Sequence, residues 1–166
     1  IRLSSIINRL NNSKSIKHTL VHTGQNYDYN LNEVFFKDLN ISKPDIFLEA
    51  ASDSPTKTIG NILIKIDSVL DDLQPDAVLI LGDTNSCLSA IAAKKKKIPT
   101  VLDNTWSSPL FCDPIKLGIN IIIDAGTKYI NGHSDVLIGF VSSDKKNAKP
   151  IRVATKTLGI CPGSEE

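Results

Sequence analysis

Apolar positions in the first hundred residues alternate between helical and strand spacing. The clearest helix begins at Ser54-Pro55, because serine is a good N-cap and proline suits the first helical turn, and it ends at Gln74-Pro75. Its apolar face recurs every three or four residues. That face consists of Ile59, Ile62, Leu63, Ile66, Val69, Leu70 and Leu73. Residues 76–81 then form a nearly continuous apolar run, which is typical of a strand buried on both faces.

Similar units flank this helix. Helical spacing recurs over residues 1–10, 31–39 and 86–97, and strands are predicted at 16–23, 46–48 and 100–103. The order β-α-β-α-β with short connections predicts an α/β fold with a three-layer, mostly parallel, Rossmann-like sheet.

The pattern changes after residue 104. Strands are predicted at 119–124 and 136–142, but a glycine-rich connection separates them instead of a full helix. A basic, partly helical stretch follows at 144–158. We therefore expect two segments, residues 1–99 and residues 100–166.

Net charge, cysteine content and the distribution of apolar residues limit the partners and the location that we expect for this protein. The net charge of +1 argues against nucleic acid or an anionic membrane as a partner, and the lysine tract at 94–97 is interpreted as the solvated end of a helix. Three widely spaced cysteines indicate a reducing compartment rather than a disulfide framework. No signal peptide or membrane-spanning run is recognisable, so we expect a cytoplasmic protein, and the start at isoleucine suggests a fragment.

Asp83 is the first candidate for chemistry. It follows a predicted strand by one glycine and precedes a helix, and ligands of open parallel sheets lie outside the carboxyl ends of the strands. Taken by itself, its position fits a helix cap as well as a catalytic carboxylate.

Two runs of sequence resemble the non-hydrolysing UDP-N-acetylglucosamine 2-epimerases. They are His22-Thr23-Gly24-Gln25-Asn26-Tyr27-Asp28 and Pro75-Asp76-Ala77-Val78-Leu79-Ile80-Leu81-Gly82-Asp83-Thr84-Asn85-Ser86, and the resemblance covers about residues 1–100. It implies one Rossmann-like half of a two-domain enzyme that acts on a UDP-sugar without a cofactor or metal. Asp83 would be one acid/base carboxylate, and Gln25 would bind substrate. The family's second catalytic glutamate belongs to a strand that is replaced here by residues 101–106.

Lys128 and Asp103 are the next candidates, since each follows or ends a predicted strand. A lysine among small and apolar residues can react with carbonyl groups, and an aspartate can pair with a cationic ring nitrogen. A surface lysine and a turn aspartate are the alternative interpretations.

Three further runs resemble the cystathionine β-lyase branch of the pyridoxal-phosphate transsulfuration enzymes, over about residues 98–166. They are Asp103-Asn104-Thr105-Trp106-Ser107-Ser108-Pro109-Leu110-Phe111, Ala125-Gly126-Thr127-Lys128-Tyr129-Ile130-Asn131-Gly132-His133-Ser134-Asp135 and Thr157-Leu158-Gly159-Ile160-Cys161. The resemblance implies a piece of a fold-type-I enzyme in which Lys128 carries pyridoxal 5′-phosphate. Asp103 would hold the pyridinium nitrogen and Thr127 the phosphate. Ala125 stands where the family often has serine, and we expect His133 to be a buried structural group.

The two resemblances meet within residues 93–100, where both families have a basic helix, Ile-Pro and a parallel strand. We interpret the chain as a chimera of an incomplete epimerase-like domain and a lyase-like segment, without full activity. Residual pyridoxal phosphate binding through Lys128 and a non-catalytic α/β module are the alternatives. The expected ligands are a UDP-sugar or an amino acid, and both parent families form homo-oligomers.

Overall fold

The structure, a computed structural model, describes residues 3–24, 36, 38–39, 41–82 and 84–161. The chain divides into two compact units, Ile1–Ser68 and Val69–Glu166. Within the described ranges no helix has both the length and the apolar character needed to cross a membrane.

The first unit pairs short strands with amphipathic helices. Helix α1 spans Ser4–Asn11, and strands β1 (Val21–His22) and β2 (Ile46–Phe47) pair in parallel. The ring of His22 stacks on Phe47, with 4.9 Å between ring centroids. Strand β1 is shorter than predicted because its parallel partner begins only at Ile46, opposite Val21, and ends at Phe47, opposite His22. Two residues later Glu49 adopts a left-handed backbone (φ 47°). Buried apolar side chains of this unit are Ile7, Leu48, Ala50, Ile62 and Ile66.

Helix α2 spans Pro55–Leu73, as the capping signals predict. The Ser54 hydroxyl accepts a hydrogen bond from the Lys57 N–H at 3.2 Å, which satisfies one free donor of the first turn. Beyond Leu73 the backbone of Gln74 turns left-handed (φ 43°), and the helix ends there.

The second unit is built on a four-stranded sheet in the order β3-β4-β5-β6. These strands are Val78–Leu81, Thr100–Asp103, Ile121–Ala125 and Gly139–Ser143. The 3-10 helix Asn85–Leu88 and helices α3 (Ser89–Lys95), α4 (Ser108–Phe111) and α5 (Lys145–Thr157) connect or flank them.

Strands β3, β4 and β5 run parallel, and β6 is antiparallel to β5. The parallel α/β class is thus confirmed, including the parallel pairing of β3 with β4. The last strand reverses because no full crossover helix separates β5 from β6, whereas a parallel return needs a long connection.

A polar network joins the amino ends of β4 and β5 to α5. The Asn120 side chain accepts a hydrogen bond from the Thr100 N–H at 3.0 Å and donates one to Asp144 at 2.9 Å. Asp144 in turn caps α5 by accepting from the Asn147 N–H at 2.9 Å. The hydrogen bond from Asn120 lowers the pKa of Asp144, and the Asn147 N–H acts in the same direction. Thr100 is almost fully buried, so the network satisfies polar groups that water cannot reach.

At the opposite, carboxyl end of the sheet, Gly82 follows β3 where the chain passes close to β4. A Cβ atom at Gly82 would collide with the backbone carbonyl oxygen of Asp103. We expect Gly82→Ala to destabilise the chain by about 1–3 kcal/mol, because a backbone clash cannot be relieved by rotating a side chain. Urea unfolding of the purified chain measures this change.

Gly60→Ala is the matched control. Gly60 lies within helix α2, and apart from the helix's own backbone no described heavy atom lies within 4 Å of the place that a Cβ would take. Since alanine is also the better helix former, the same substitution there should stabilise the chain by about 0.5–1 kcal/mol. An equal loss of stability at both positions would contradict the close approach of Gly82 to β4.

Candidate functional site

The candidate site lies at the carboxyl ends of β4 and β5. Strand β4 ends at Asp103, in register with Leu81 on one side and Ile123 on the other. Its carboxylate is half-buried and accepts a hydrogen bond from the Thr105 N–H at 3.0 Å. The Thr105 hydroxyl accepts from the Ala125 N–H at 2.8 Å. The loop after β4 is therefore tied to the end of β5.

The turn after β5 carries Thr127 and Lys128. The Thr127 hydroxyl donates to the Ile138 carbonyl at 3.3 Å and accepts from the Ile138 N–H at 3.0 Å. The Lys128 N–H donates to the Ala125 carbonyl at 3.0 Å. Both hydrogen-bonding functions of the Thr127 hydroxyl thus hold the turn against the residue that precedes β6.

The side chain of Lys128 is exposed. Among the described residues, its ammonium group makes no ion pair or hydrogen bond. Within the described part of the chain, its side chain is therefore not enclosed by apolar residues.

His133 was expected to be buried, and this is wrong. It lies on the exposed stretch between β5 and β6, with Nδ1 2.8 Å from the carbonyl oxygen of Asn131. The turn folds against the start of β6 through Thr127, so the residues beyond it remain outside the core.

Asp124 is a candidate that the sequence analysis missed. It is only 6% exposed, and within the described chain its Oδ1 atom has no hydrogen-bond partner. Burial raises the pKa of Asp124, the charge of Asp103 raises it further, and a hydrogen bond from the Asn104 side chain partly offsets both. A signal was present in the sequence, since alternation along the strand puts Asp124 in phase with the buried Ile122.

Two aromatic residues complete this edge. Trp106 follows Asp103 by three residues, and Tyr129 follows Lys128 directly. Their rings meet edge to face, with 6.5 Å between centroids and an interplanar angle of 81°. This contact joins the two loops a second time, next to the bond between Thr105 and Ala125.

The structure therefore groups Asp103, Thr127 and Lys128 at the carboxyl ends of neighbouring strands. The roles assigned to them remain predictions. Asp83 and Gln25, the candidates for the epimerase-like site, lie outside the described residues. Their roles also remain predictions.

Comparisons with known proteins identify both parts of the sequence. Residues 8–101 match the family described as UDP-N-acetylglucosamine 2-epimerase, and residues 79–166 match the family described as Cys/Met metabolism PLP-dependent enzyme. Each match exceeds half of the chain, and the two overlap from β3 to the start of β4.

Individual relatives agree with both matches. A putative cystathionine beta-lyase of Saccharomyces cerevisiae is 46% identical over 74 residues, which are 45% of this chain and 22% of that protein. The solved UDP-N-acetylglucosamine 2-epimerase of Rickettsia bellii is 44% identical, with a TM-score of 0.62 over 75% of this chain and 35% of the other.

A third comparison concerns the fold alone. Apo CalE6, a methionine gamma lyase from Micromonospora echinospora, has a TM-score of 0.54 at 23% identity, over 81% of this chain and 37% of the other. The chain spans about a quarter of the length of the curated relatives that it matches.

The structure is thus an α/β chain with a group of polar and ionisable side chains at the carboxyl edge of a mostly parallel sheet. The chain belongs to the UDP-N-acetylglucosamine 2-epimerase family over residues 8–101 and to the PLP-dependent enzymes of Cys/Met metabolism over residues 79–166. The two resemblances seen in the sequence are confirmed.

The buried carboxyl of Asp124 predicts a particular dependence of stability on pH. Because folding raises the pKa of Asp124, the folded chain holds this proton more tightly than the unfolded chain. Its contribution to stability is therefore full below the usual carboxyl pKa and is lost as pH rises through the raised pKa. Asp124→Asn should flatten this fall, as measured by urea unfolding from acidic to neutral pH.

Asp103→Asn separates the two causes of the raised pKa of Asp124, which are burial and the charge of Asp103. It removes the repulsive charge but leaves Asp124 buried, so the fall in stability should become smaller without disappearing. A wild-type profile that Asp124→Asn leaves unchanged would contradict the assignment of this fall to Asp124.

Proposed function

We propose that this chain binds pyridoxal 5′-phosphate weakly through Lys128 and completes neither the epimerase nor the lyase reaction. The observation that carries the proposal is the exposed, unpaired ammonium of Lys128 beside the strand end that holds Asp103, within the described chain. The match of residues 79–166 to PLP-dependent enzymes supports the choice of cofactor.

The aldehyde and the ring nitrogen of the cofactor fit residues of this edge. Lys128 would hold the cofactor through its side-chain amine, which is the group that can condense with an aldehyde. Asp103 would hold the ring nitrogen, since the Thr105 N–H uses only one oxygen of its carboxylate. When bound, the cofactor supplies an electron sink.

The phosphate fits less well. The Thr127 hydroxyl is engaged with Ile138 in both directions, and Ala125 offers no hydroxyl. Binding phosphate through Thr127 requires that these contacts be exchanged. Each charge-assisted contact that is not made costs about 1.5–3 kcal/mol, and every 1.4 kcal/mol is about tenfold in affinity. We therefore propose an affinity that is micromolar or weaker.

Borohydride reduction in the presence of excess pyridoxal phosphate, followed by peptide mass mapping, tests the proposal. We expect labelling to concentrate at Lys128, to disappear in Lys128→Ala, and to weaken several-fold in Asp103→Asn. Pyridoxal without phosphate should label Lys128 nearly as well as pyridoxal phosphate does. The Thr127 hydroxyl is already bonded to Ile138, and Ala125 has no hydroxyl to offer the phosphate.

The lysine tract at residues 94–97 is the internal control for this experiment. Lys95 and Lys97 offer exposed amines, whereas Lys94 donates to the Leu117 carbonyl and Lys96 pairs with Asp71; none of them belongs to the carboxyl edge. Labelling spread evenly over Lys95, Lys97 and Lys128 would contradict cofactor binding and leave the chain as a non-catalytic α/β module.

The epimerase-like segment is proposed to lack turnover. Moving a proton at a carbon atom requires a positioned acid and a positioned base together. Asp83 supplies one carboxylate, and Gln25 is proposed to contact a UDP-sugar. The strand that carries the family's second carboxylate gives way here to β4, Thr100–Asp103, which continues into the lyase-like loop. The replacement of the epimerase strand by a lyase-like strand begins within residues 79–101, which both families match, and this supports a chimeric origin.

We expect no detectable epimerisation of UDP-N-acetylglucosamine by the purified chain, as followed by separation of the two epimers. Asp83→Asn is the control that identifies genuine activity. Turnover that disappears in Asp83→Asn would contradict the proposal, whereas turnover that persists in this variant comes from a contaminating enzyme.

We also propose a cytoplasmic location. Cys87, Cys112 and Cys161 are widely spaced along the chain and odd in number, which suits a reducing compartment better than a disulfide framework.

A further inference from the structure

We propose that helix α5 binds duplex nucleic acid through its phosphates, by a stripe of four cationic side chains on one face of the helix. The stripe consists of Lys145, Lys149, Arg152 and Lys156. This function goes beyond cofactor binding, because it uses neither Lys128 nor any other residue of the carboxyl edge.

The first support is the local concentration of positive charge. Within its 13 residues, helix α5 holds four lysines and one arginine, and it contains no aspartate or glutamate. The net charge of +1 describes the whole chain and does not reveal this concentration. Binding of a polyanion depends on the charges of the contact surface itself, because salt screens charges that are more than about 8 Å away.

The second support is the alignment of four of these cations. Side chains three and four residues apart share a face of a helix, and the stripe advances by steps of four, three and four residues. At about 100° per residue its members fall within about 60° of arc, and at about 1.5 Å per residue they span about 16 Å along the axis. With Ala148 and Val153 they border a groove on the surface.

The third support is that the stripe is available to a partner. All four side chains are exposed, and along the described chain none of them forms an ion pair. The half-buried residues Asn147, Ile151 and Thr155 lie on another face of the helix, so its packing leaves the stripe free.

This arrangement is unfavourable for the helix alone. Lys145 and Lys149 carry like charges four residues apart, and Lys145 stands in the first turn, where the helix dipole disfavours a cation. Bound phosphates would remove both costs. Arg152 can hold a phosphate through two parallel hydrogen bonds, whereas the lysines act as point charges.

Charge complementarity favours a duplex over other polyanions. Duplex DNA carries one negative charge per about 1.7 Å of its axis, compared with one per about 3.4 Å along a single strand. Helix α5 has no aromatic side chain, so a single strand would gain no base stacking from it. Val153 is the single large apolar side chain exposed on this helix, whereas a helix that lies in a membrane surface needs a broad apolar face.

Fluorescence anisotropy of a labelled duplex of about 20 base pairs, titrated with the purified chain, tests the proposal. Four neutralised phosphates predict a slope of about −3.6 for the logarithm of affinity against that of salt concentration, so binding should weaken about a hundredfold between about 50 and 200 mM salt. A second duplex of unrelated sequence should bind equally well, because phosphate contacts carry no sequence information.

A double substitution assigns binding to the stripe. Lys149→Gln with Arg152→Gln should weaken binding at low salt at least about tenfold and reduce the slope to about −1.8, because two phosphate contacts are lost. Glutamine forms helices about as well as lysine and arginine, so the variant should fold, which urea unfolding checks. Lys14→Gln with Lys17→Gln is the matched control. It removes two exposed positive charges from the first unit and should change the affinity less than about twofold.

Equal losses of affinity in the two double variants would overturn the proposal, since the net charge of the chain would then explain binding. An affinity that does not change with salt would also overturn it, because phosphate contacts release counterions. Tighter binding to the corresponding single strand, or to phosphatidylserine vesicles at the same concentration of charge, would overturn the choice of a duplex as the partner.

Discussion

Strand β4 hydrogen-bonds on both sides, and the second unit depends on this double pairing. On one side Thr100–Asp103 pairs in parallel with β3, and on the other side it pairs with β5. The epimerase family ends its match at residue 101, and the lyase family continues to residue 166. Strand β4, four residues long, thus pairs with β3, which lies mostly in the region that both families match, and with β5, which only the lyase family matches. Backbone pairing tolerates this exchange because it depends on strand direction and register rather than on side-chain identity.

Local polar contacts fix the two ends of this strand. At the amino end, Asn120 links Thr100 to the cap of α5 through Asp144. At the carboxyl end, the Asp103 carboxylate and the Thr105 hydroxyl tie the loop of β4 to β5. The first network is satisfied within the described chain, whereas the second leaves one oxygen of Asp124 without a partner there. The buried polar groups are therefore paired at the amino end of the sheet, and at the carboxyl end a buried carboxyl oxygen is left unpaired among the described residues.

This asymmetry gives the carboxyl edge its chemical character. Active sites commonly combine burial with like charges, and Asp124 beside Asp103 has both. Lys128 lies at the same edge but is exposed, and Thr127 is bound to the backbone of Ile138. The edge thus holds two neighbouring carboxyls, while the residues proposed to hold the cofactor are only partly positioned for it.

The sequence by itself determined features that depend on short-range signals. The Ser54 cap and Gln74-Pro75 bounded α2 nearly to the residue, and strand 100–103 was predicted with its observed ends. Family membership also followed from short, ordered motifs. Residues 31–39, a predicted helix, lie largely outside the described chain and provide no test.

Only the tertiary structure decided the environment of individual side chains. The antiparallel direction of β6, the exposure of His133, the engagement of the Thr127 hydroxyl and the burial of Asp124 all depend on residues distant in sequence. Sequence periodicity indicates which face of a strand a residue occupies. It does not specify which atoms cover that face, because burial and hydrogen bonding arise from long-range packing.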